Sequence, residues 1–579
     1  MSSDQRSIRA AVEARLAKRY RAEKRFQFYG LAAIFVAVAF LALLLGSIVL
    51  QSFGAFTAHR LTLPVTVERE LADPRGDMSE ASLRRGAYNT MIQNALLEQF
   101  PSVEDRGARR ELFGLYSAVN AARLLNDVVA SPALVGQTVS FSLPISDDAD
   151  LYLKGDTVAE TRTPGAAPLE IRSAEDGVRF GAGSDVFAGF AATVREAAQA
   201  RIDAALARAQ AAEAEAAGTI DRDAREILLA EAERARALAD RLAERADGEG
   251  GLALGPQIPS LFIVANGGVA RISEIGADVS SARGEWVIAP DSDASAVTDW
   301  TLWVLETPSA ARLITDRQVV WTRALAERGL VENGFNRELF VNADSREPEL
   351  AGVLGALIGS ILTMVVTMLL AVPVGVGAAI YLEEFAPRNR FTDFVEVNIN
   401  NLAAVPSIVF GLLGLAVFIN AFGMPRSAPV VGGMVLALMT LPTVIISSRA
   451  ALKAVPPSIR EAALGVGASK TQAVFQHVLP LAAPGILTGS IIGLAQALGE
   501  TAPLLMIGMV AFIADPPTLG LSGFTEPATV MPVQIFLWSS GAERAFEART
   551  AAAILILLFV MIVFNAVAIY LRRRFERRW

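Results

Sequence analysis

The sequence of 579 residues contains no cysteine and only two histidines, His59 and His477. Without cysteine, the chain can form neither a disulfide framework nor a thiolate metal site. With two histidines and no paired carboxylates in its apolar segments, it also lacks the parts of an intramembrane hydrolase, whether a metal site or a Ser–His arrangement. The net charge of −8 is spread over a long polar region, and the composition gives no support to nucleic-acid binding.

Apolar residues are abundant: 53% of the chain is hydrophobic and the mean hydropathy is +0.40, which is typical of membrane proteins. Six stretches of at least about 20 residues carry at most one charge each. About 20 residues is the length that a helix needs to cross the hydrocarbon core. The first is longer than the apolar core of a signal peptide and follows a long polar segment, so we expect a retained anchor. The predicted transmembrane helices are 30–52, 350–382, 399–422, 427–448, 484–513 and 550–571.

Basic residues cluster at both ends of the chain, within 1–29 and 572–579. Because lysine and arginine concentrate on the cytoplasmic side, both termini are predicted to be cytoplasmic, which requires an even number of spans. Six spans satisfy that condition and also place residues 449–483 inside. We call residues 449–483 the EAA loop. Its basic residues are Arg449, Lys453, Arg460 and Lys470.

Residues 53–349 then form one large extracytoplasmic insertion, which is long enough for a domain with its own core. Stretches 135–143, 169–180 and 260–288 contain β-branched residues between Gly, Pro and Asp and predict strands. Residues 189–247 are rich in Ala, Glu and Arg and break near Gly218, which predicts a helical hairpin. A solvated spacer or interaction arm is the favoured interpretation of this hairpin over a specific ligand site.

The sequence predicts two helix-capping boxes in the EAA loop. Ser458 with Glu461, and Ser469 with Gln472, each have the spacing at which two side chains cap one helix start. The intervening G-V-G-A-S-K-T (465–471) superficially resembles a nucleotide-binding P-loop, but neither its glycine spacing nor a preceding strand is present. We therefore expect two short helices joined at Gly467 and no ATP bound by this chain.

The same loop resembles the cytoplasmic loop of ABC-importer permeases, whose pattern is E-A-A, three residues, G, nine residues and I-x-L-P. His477 replaces the usual isoleucine. In that family the loop docks into a cleft on the ATP-binding subunit, so the resemblance implies a mechanical coupling role. The matching residues are Glu461, Ala462, Ala463, Gly467, Leu479 and Pro480.

Small residues recur every four positions in the fifth predicted span, at Gly485, Gly489, Gly493 and Ala497. Such a ribbon lets helices pack closely in lipid. Glu500 lies nearly two turns beyond Gly493 and is predicted to project from the same helical face, as the only charge well inside a span after the first. An ionisable residue there is either functional or a buried structural hydrogen-bond partner, and both interpretations remain open.

Four prolines lie in or beside the predicted spans, where freed backbone carbonyls must find other partners. They predict either kinks that separate inward and outward arrangements or ordinary irregularities of packing. These residues are Pro373, Pro406, Pro442 and Pro503.

Three further segments are similar to the PstA-type permeases of phosphate importers. They are N-N-L-A-A-V-P-S-I-V-F-G (400–411), G-E-T-A-P-L-L (499–505) and M-P-V-Q-I-F (531–536). Two positions depart from the family pattern: Ala404 replaces a glycine, and Gln496 stands where an arginine is common. The resemblance covers about 340–579 and leaves 53–349 unexplained, so this would be a long form with a large periplasmic insertion.

The resemblance implies an all-α polytopic membrane protein of the bacterial inner membrane. It would have the type I ABC-importer permease fold of six transmembrane helices, the first being 30–52 and the other five forming the permease core, 350–571. An α+β extracytoplasmic insertion with a helical hairpin would lie between them, at 53–349. The chain would be the permease subunit of an ATP-driven inorganic phosphate importer, with no catalytic residue, metal or cofactor of its own. The implied partners are a PstC-like permease, a PstB-like ATP-binding subunit dimer that binds the ATP, and a PstS-like periplasmic phosphate-binding protein.

The candidate residues of the translocation pathway are polar side chains in or near the spans. Without a fixed positive charge there, selectivity is expected to reside mostly in the binding protein. Two alternatives remain: a permease for molybdate, tungstate or sulfate, and a membrane-anchored scaffold or sensor acting through 53–349. The pathway candidates are Glu500, Thr501, Gln496, Asn400, Asn401 and Ser407.

Overall fold

The computed structural model describes residues 3–174, 177–182, 186–246, 251–292, 295–509, 512–513 and 515–575. The chain divides into two compact units. The membrane unit comprises 1–57 and 335–579, and the insertion unit comprises 58–334. The insertion unit is shorter than the predicted 53–349, because the first helix runs to Phe56 and Leu339 packs into a core with Trp538 and Phe546 of the membrane unit.

The described elements are numbered in chain order. The α-helices are α1 (Ser3–Phe56), α2 (Arg69–Ala72), α3 (Glu80–Leu83), α4 (Tyr88–Gln99), α5 (Arg106–Phe113), α6 (Ala121–Ala130), α7 (Asp147–Leu153), α8 (Ala188–Gly218), α9 (Arg222–Ala246), α10 (Asp316–Glu327), α11 (Glu338–Val341), α12 (Leu354–Ile380), α13 (Arg390–Ala403), α14 (Ser407–Leu413), α15 (Pro429–Lys453), α16 (Pro457–Gly465), α17 (Lys470–Ala473), α18 (Leu479–Gly499), α19 (Ala502–Met506), α20 (Met531–Ser539) and α21 (Ala545–Phe575). The β-strands are β1 (Thr57–Thr66), β2 (Thr138–Pro144), β3 (Glu160–Pro164), β4 (Leu169–Ala174), β5 (Gly177–Ala182), β6 (Leu252–Ala253), β7 (Ser260–Ala265), β8 (Gly268–Ile275), β9 (Ser281–Ile288), β10 (Ala296–Val297), β11 (Trp300–Leu305) and β12 (Val331–Phe335). Short π-helical segments are Tyr381–Phe385, Gly414–Ala421 and Val474–Val478. Short 3-10 helices are Ala118–Asn120, Pro132–Leu134, Ser309–Ala311, Pro348–Leu350 and Ser522–Phe524.

Five helices of the described residues are long and apolar enough to cross a membrane, or six if one bent pair counts as a single span. The bent pair is α13 with 407–421, whose axes differ by 104°. The predicted span 399–422 is therefore not one continuous helix, although the bent pair can still count as a single span. Proline 406 explains the break, because its ring clashes with the carbonyl four residues earlier and it has no N–H to donate. The five spans are Tyr20–Phe56, Leu354–Phe385, Pro429–Lys453, Lys470–Gly499 and Ala545–Arg574.

The fifth predicted span, 484–513, is also displaced. Its helix begins at Lys470, passes through the π-helical segment and ends at Gly499. Pro503 accounts for this end, because a helix continuing through it would set the proline ring against the carbonyl of residue 499. Glu500 has an extended backbone conformation, so the prediction that it shares a helical face with Gly493 is wrong.

Small residues set the packing of α18 against α15, as their spacing predicted. A Cβ placed on Gly489 would lie 2.0 Å from Ser447 Oγ, and one on Gly485 would lie 2.6 Å from Ala451 Cβ. The helix α12 packs against α15 in the same way, since a Cβ on Gly433 would lie 2.4 Å from Val366 Cβ. Close packing through small residues is thus confirmed for the helices that form the centre of the membrane unit.

The insertion unit contains two antiparallel sheets. The smaller has the strand order β12-β1-β2, and the larger has the order β10-β4-β5-β9-β8-β7-β11-β3 with β6 paired to β8. Phe262 and Trp303, on neighbouring strands of the larger sheet, lie in the same hydrophobic core as Trp321 of α10. The helices α8 and α9 occupy the segment predicted as a hairpin and pack through alanines, with Arg208–Glu231 and Arg236–Glu213 ion pairs across them.

A half-buried carboxylate joins β1 to α7 in the insertion unit. Asp150 Oδ1 accepts hydrogen bonds from the backbone N–H and ring Nδ1 of His59, both at 2.8 Å, and the Lys154 ammonium lies against Oδ2. Burial acts to raise the pKa of Asp150, but the His59 hydrogen bonds and the Lys154 charge outweigh it and the pKa is lowered. The ionised carboxylate is therefore stabilised by folding.

Because the pKa of Asp150 is lowered in the folded chain, its ionised carboxylate should stabilise the insertion unit, and acid should remove this stabilisation. Because the folded pKa is lowered, the contribution is complete above the unfolded pKa of about 4 and disappears as pH falls through the folded value. We expect Asp150→Asn to destabilise the insertion unit at pH 7 and to differ less from the native chain near pH 3. Hydrogen exchange of β1 and α7 amides at both pH values measures this, and an equal difference at the two values would contradict it.

Candidate functional site

The short helix α16 of the EAA loop is followed by a glycine turn. The helix starts at Pro457 after an N-cap at Pro456, so Ser458 lies inside the first turn and makes no capping hydrogen bond. The predicted first capping box is therefore wrong. Proline at the first helical position sets the start instead, because its fixed φ suits a helix and its missing N–H has no partner to lose there.

The second predicted capping box is confirmed. Ser469 Oγ accepts a hydrogen bond from the backbone N–H of Gln472 at 3.2 Å, and Gln472 Oε1 accepts one from the N–H of Ser469 at 2.9 Å. Gly467 precedes this helix start with φ +90°, a conformation that favours glycine. The chain therefore leaves α16 through a turn and immediately enters the span that continues as α18.

The six predicted coupling residues fall into two sets. Glu461, Ala462 and Gly467 are exposed and face solvent on and just after α16. The others contribute to packing: Ala463 is buried, while Leu479 and Pro480 are half-buried at the start of α18. His477, the departure from the family pattern, is exposed within the π-helical segment.

Ion pairs connect the EAA loop to the end of α12, and these were missed in the sequence. Arg460 pairs with Glu384 at 2.6 Å, and Arg449 and Lys453 lie 3.5 and 3.6 Å from Glu383. The sequence signal was a pair of adjacent glutamates just beyond a predicted span. The basic residues of the EAA loop were interpreted only as markers of orientation.

Two of the family-like segments meet inside the membrane unit. A Cβ on Gly411 of α14 would lie 2.7 Å from Pro503 Cα and 2.8 Å from Met506 Cβ. Phe410 and Leu504 belong to the same buried cluster at this junction. The segments 400–411 and 499–505, far apart in sequence, are thus brought into direct contact.

The pathway candidates lie on or beside α13, α14, α18 and α19 and differ in their exposure. Asn400 and Asn401 at the end of α13 and Gln496 on α18 are exposed, whereas Ser407, Glu500 and Thr501 are half-buried. Within the described residues, no hydrogen bond or ion pair joins the Glu500 carboxylate to another side chain. The structural alternative, in which Glu500 holds a neighbouring helix by a hydrogen bond, therefore has no partner among them.

The third family-like segment forms α20 and packs on α12. The N–H of Met531 donates to Ser360 Oγ at 2.8 Å, and a Cβ on Gly359 would lie 2.0 Å from the carbonyl oxygen of Thr529. The indole N–H of Trp538 donates to Asp344 at 3.0 Å, and burial raises the pKa of Asp344. Each of the three segments therefore contributes residues to the core of the membrane unit: Phe410, Leu504 and Val533 belong to one buried cluster.

Among the residues that the structure describes, no group of three or more His, Asp or Glu side chains could hold a metal ion. The site is an arrangement of helices, ion pairs and polar side chains.

Known families match both parts of the chain. Residues 371–579 match the family described as "Binding-protein-dependent transport system inner membrane component", and residues 13–163 match a domain of unknown function, DUF3333. The first match contains α13 to α21 and the EAA loop. The second contains the first span and the beginning of the insertion unit.

Curated relatives are permeases. The phosphate transport system permease protein PstA 1 of Mycobacterium tuberculosis is 30% identical over 279 residues, which cover 48% of this chain and 84% of the relative. PstA of Haemophilus influenzae is 31% identical, with 39% of this chain and 77% of the relative covered. The probable ABC transporter permease protein YqgI of Bacillus subtilis is 28% identical, with 42% and 86% covered.

Among solved structures, the inward-facing MetNI methionine ABC transporter overlaps 39% of this chain and 96% of its own. Its identity is 18% and the TM-score is 0.32, values too low to support an argument. The family match, the coverage of the relatives and the assembled helices agree on a multi-pass membrane permease. The chain belongs to the PstA-type family of ABC-transporter permeases.

Proposed function

We propose that this chain is the permease subunit of an ATP-driven inorganic phosphate importer. The observation that carries the proposal is the junction of α14 with α19, where the segments 400–411 and 499–505 meet. They are two of the three segments by which the chain resembles PstA-type permeases, and 499–505 together with 531–536 counts against a permease for another oxyanion. The names of the M. tuberculosis and H. influenzae relatives support the same substrate.

In this proposal, phosphate passes beside the half-buried and exposed polar side chains at the junction. They can exchange hydrogen bonds with an oxyanion, and Gln496 adds no fixed positive charge that would hold it. A soluble phosphate-binding protein would supply most of the selectivity, and a second, PstC-like permease would complete the pathway. The spans would lie in the bacterial inner membrane with both termini in the cytoplasm.

The EAA loop would dock on a PstB-like ATP-binding subunit, which hydrolyses the ATP. Glu461 and Ala462 are exposed on α16, so a charged group and a small residue are both available to a partner surface. Ala463 and Leu479 would act from within the loop by keeping α16 packed. The chain itself would contribute no bond chemistry.

Replacement of Glu461 tests the docking. We expect Glu461→Lys to reduce phosphate uptake at least about tenfold, because reversing a charge at an interface costs several times the thermal energy. Because the side chain is exposed, the variant should still insert and fold. The measurement is uptake of labelled phosphate in cells that lack their own permease and contain the partner subunits.

Glu461→Gln is the matched variant, since it keeps the shape of the side chain and removes only the charge. Uptake between the native and Glu461→Lys values is expected. If the native chain restores uptake of sulfate, molybdate or tungstate but not phosphate, the substrate proposal is wrong. Native-like uptake by a fully inserted Glu461→Lys chain would contradict docking through this residue.

A further inference from the structure

Three consecutive residues at the end of the second span each contact a different element of the EAA loop. Glu383 pairs with Arg449 and Lys453 of α15, Glu384 pairs with Arg460 of α16, and Lys470 of α17 lies 5.3 Å from the centre of the Phe385 ring. All three belong to the π-helical segment Tyr381–Phe385, which we call the receiving segment. A π-helical turn at the end of an α-helix is often found at functional sites.

Arg460 makes the most extensive of these contacts. Its Nε and Nη2 donate to the Glu384 carboxylate, with Nη2 at 2.6 Å, and its Nη1 donates to the carbonyl of Val455 at 2.7 Å. Nη2 also donates to the carbonyl of Leu452 at 2.9 Å. One guanidinium therefore joins the start of α16, the carboxyl end of α15 and the receiving segment of α12.

The pair is shielded from water, because the Glu384 side chain is 8% exposed and the Arg460 side chain 23%. A planar guanidinium with five donors can make these bonds together, whereas a lysine ammonium cannot reproduce the forked geometry. Removing one member of a buried pair leaves the other desolvated and without compensation. The contact is therefore stiff and sensitive to the identity of both residues.

Arg449 extends the connection to the broken span. Its Nη2 donates to Glu396 of α13 at 2.6 Å, while its Nε lies 3.5 Å from Glu383. Since α13 leads directly to the bend before α14, Arg449 links the receiving segment to the helix that precedes the α14–α19 junction. Glu461, the residue after Arg460, makes none of these contacts and is exposed on α16.

We propose that Arg460 is a positioning residue that passes displacement of α16 to α12 through Glu384, so that the docking helix and the receiving segment move as one body. This inference rests on the proposed function, because it assumes that α16 is the element a partner ATPase moves. Glu461 would receive the motion at the surface. Arg460, one residue earlier, would pass it to the spans through the 383–385 contacts.

The test measures the distance between α16 and the receiving segment during ATP turnover. The chain lacks cysteine, so two introduced cysteines can carry spin labels with no native cysteine in this chain to compete for them. Val466 and Arg388 are exposed positions just after α16 and just after the receiving segment. Labelled full-length chain is assembled with cysteine-free partner subunits in proteoliposomes, and distance distributions are recorded without nucleotide and with trapped ATP.

In the native chain, we expect the same distribution of label-to-label distances with and without ATP. In Arg460→Gln, we expect these distances to shift when ATP is bound. Phosphate taken up per ATP hydrolysed should fall at least about tenfold in Arg460→Gln. Glu384→Gln should change the distances and the coupling in the same direction. Because it keeps the shape of the side chain, it serves as the second variant if Arg460→Gln misfolds.

Arg426→Gln is the matched control, because Arg426 is exposed and lies outside both the EAA loop and the receiving segment. Its distances and coupling should remain native-like. A native distribution that shifts with ATP, or Arg460→Gln and Glu384→Gln distributions that do not, would overturn the inference. If the native complex hydrolyses ATP without phosphate uptake, the proposed substrate fails, while the label distances still decide the role of Arg460.

Discussion

Gly411→Leu is expected to abolish phosphate uptake and to lower the thermal stability of the chain. A side chain at this position would lie 2.7 Å from Pro503 Cα and 2.8 Å from Pro503 O and Met506 Cβ. Backbone atoms cannot move aside as the end of a flexible side chain can, so overpacking here should cost about 3 kcal/mol or more. The α14–α19 junction would open, and the candidate pathway residues on the two segments, Ser407 and Thr501, would separate.

Gly377→Leu is the matched control for this substitution. Gly377 also lies in a helix of the membrane unit, but a Cβ placed on it meets no atom within 4 Å. Both variants are purified as full-length chain in detergent, and their apparent melting temperatures are compared before uptake is measured. Equal melting temperatures and equal uptake would show that segments 400–411 and 499–505 do not depend on close contact.

Asp316→Ala is expected to destabilise the insertion unit strongly. The Asp316 carboxylate, 8% exposed, pairs with the Arg312 guanidinium, 1% exposed, and with Arg271 of β8 at 2.6 Å. Arg312 also donates to Ser260 Oγ at 2.6 Å. Removing the carboxylate leaves a buried guanidinium without its counter-charge, which typically costs about 3–5 kcal/mol.

Hydrogen exchange of the full-length chain measures this loss at the site. Amides of β8 and α10 should exchange at least about 100-fold faster in Asp316→Ala, because local opening becomes less costly. Glu327→Ala is the control, since Glu327 pairs with Arg162 at the surface and should contribute about 1 kcal/mol or less. Exchange rates that match those of the control would contradict a stabilising role for the buried pair.

The helices of the membrane unit were largely predictable because the signal for them is local. A run of apolar residues has to satisfy its backbone hydrogen bonds within the segment, so length and composition alone locate a span. The spacing of Gly485, Gly489 and Gly493 likewise predicted one closely packed face. Ser469 with Gln472 was predictable because both hydrogen bonds form within four residues.

The errors occurred where proline sets an end that hydropathy does not show. Apolar residues continue past both Pro406 and Pro503, yet the helices stop at Ala403 and Gly499. In each case the helix ends before the proline, whose ring would meet the carbonyl of the previous turn. Glu500 consequently lies beyond a helix end instead of on its face.

The sequence by itself determined that this chain spans a membrane, which segments do so approximately, and which permease family its motifs resemble. These properties depend on composition and on short spacings. The tertiary structure alone decided that Arg460 meets Glu384 across 76 positions and that Gly411 meets Pro503. Such contacts depend on how helices pack and bend. A single pair of residues that meets across helices leaves no periodic pattern in either segment. The ion pair between the EAA loop and the end of α12 therefore becomes visible only in the folded structure.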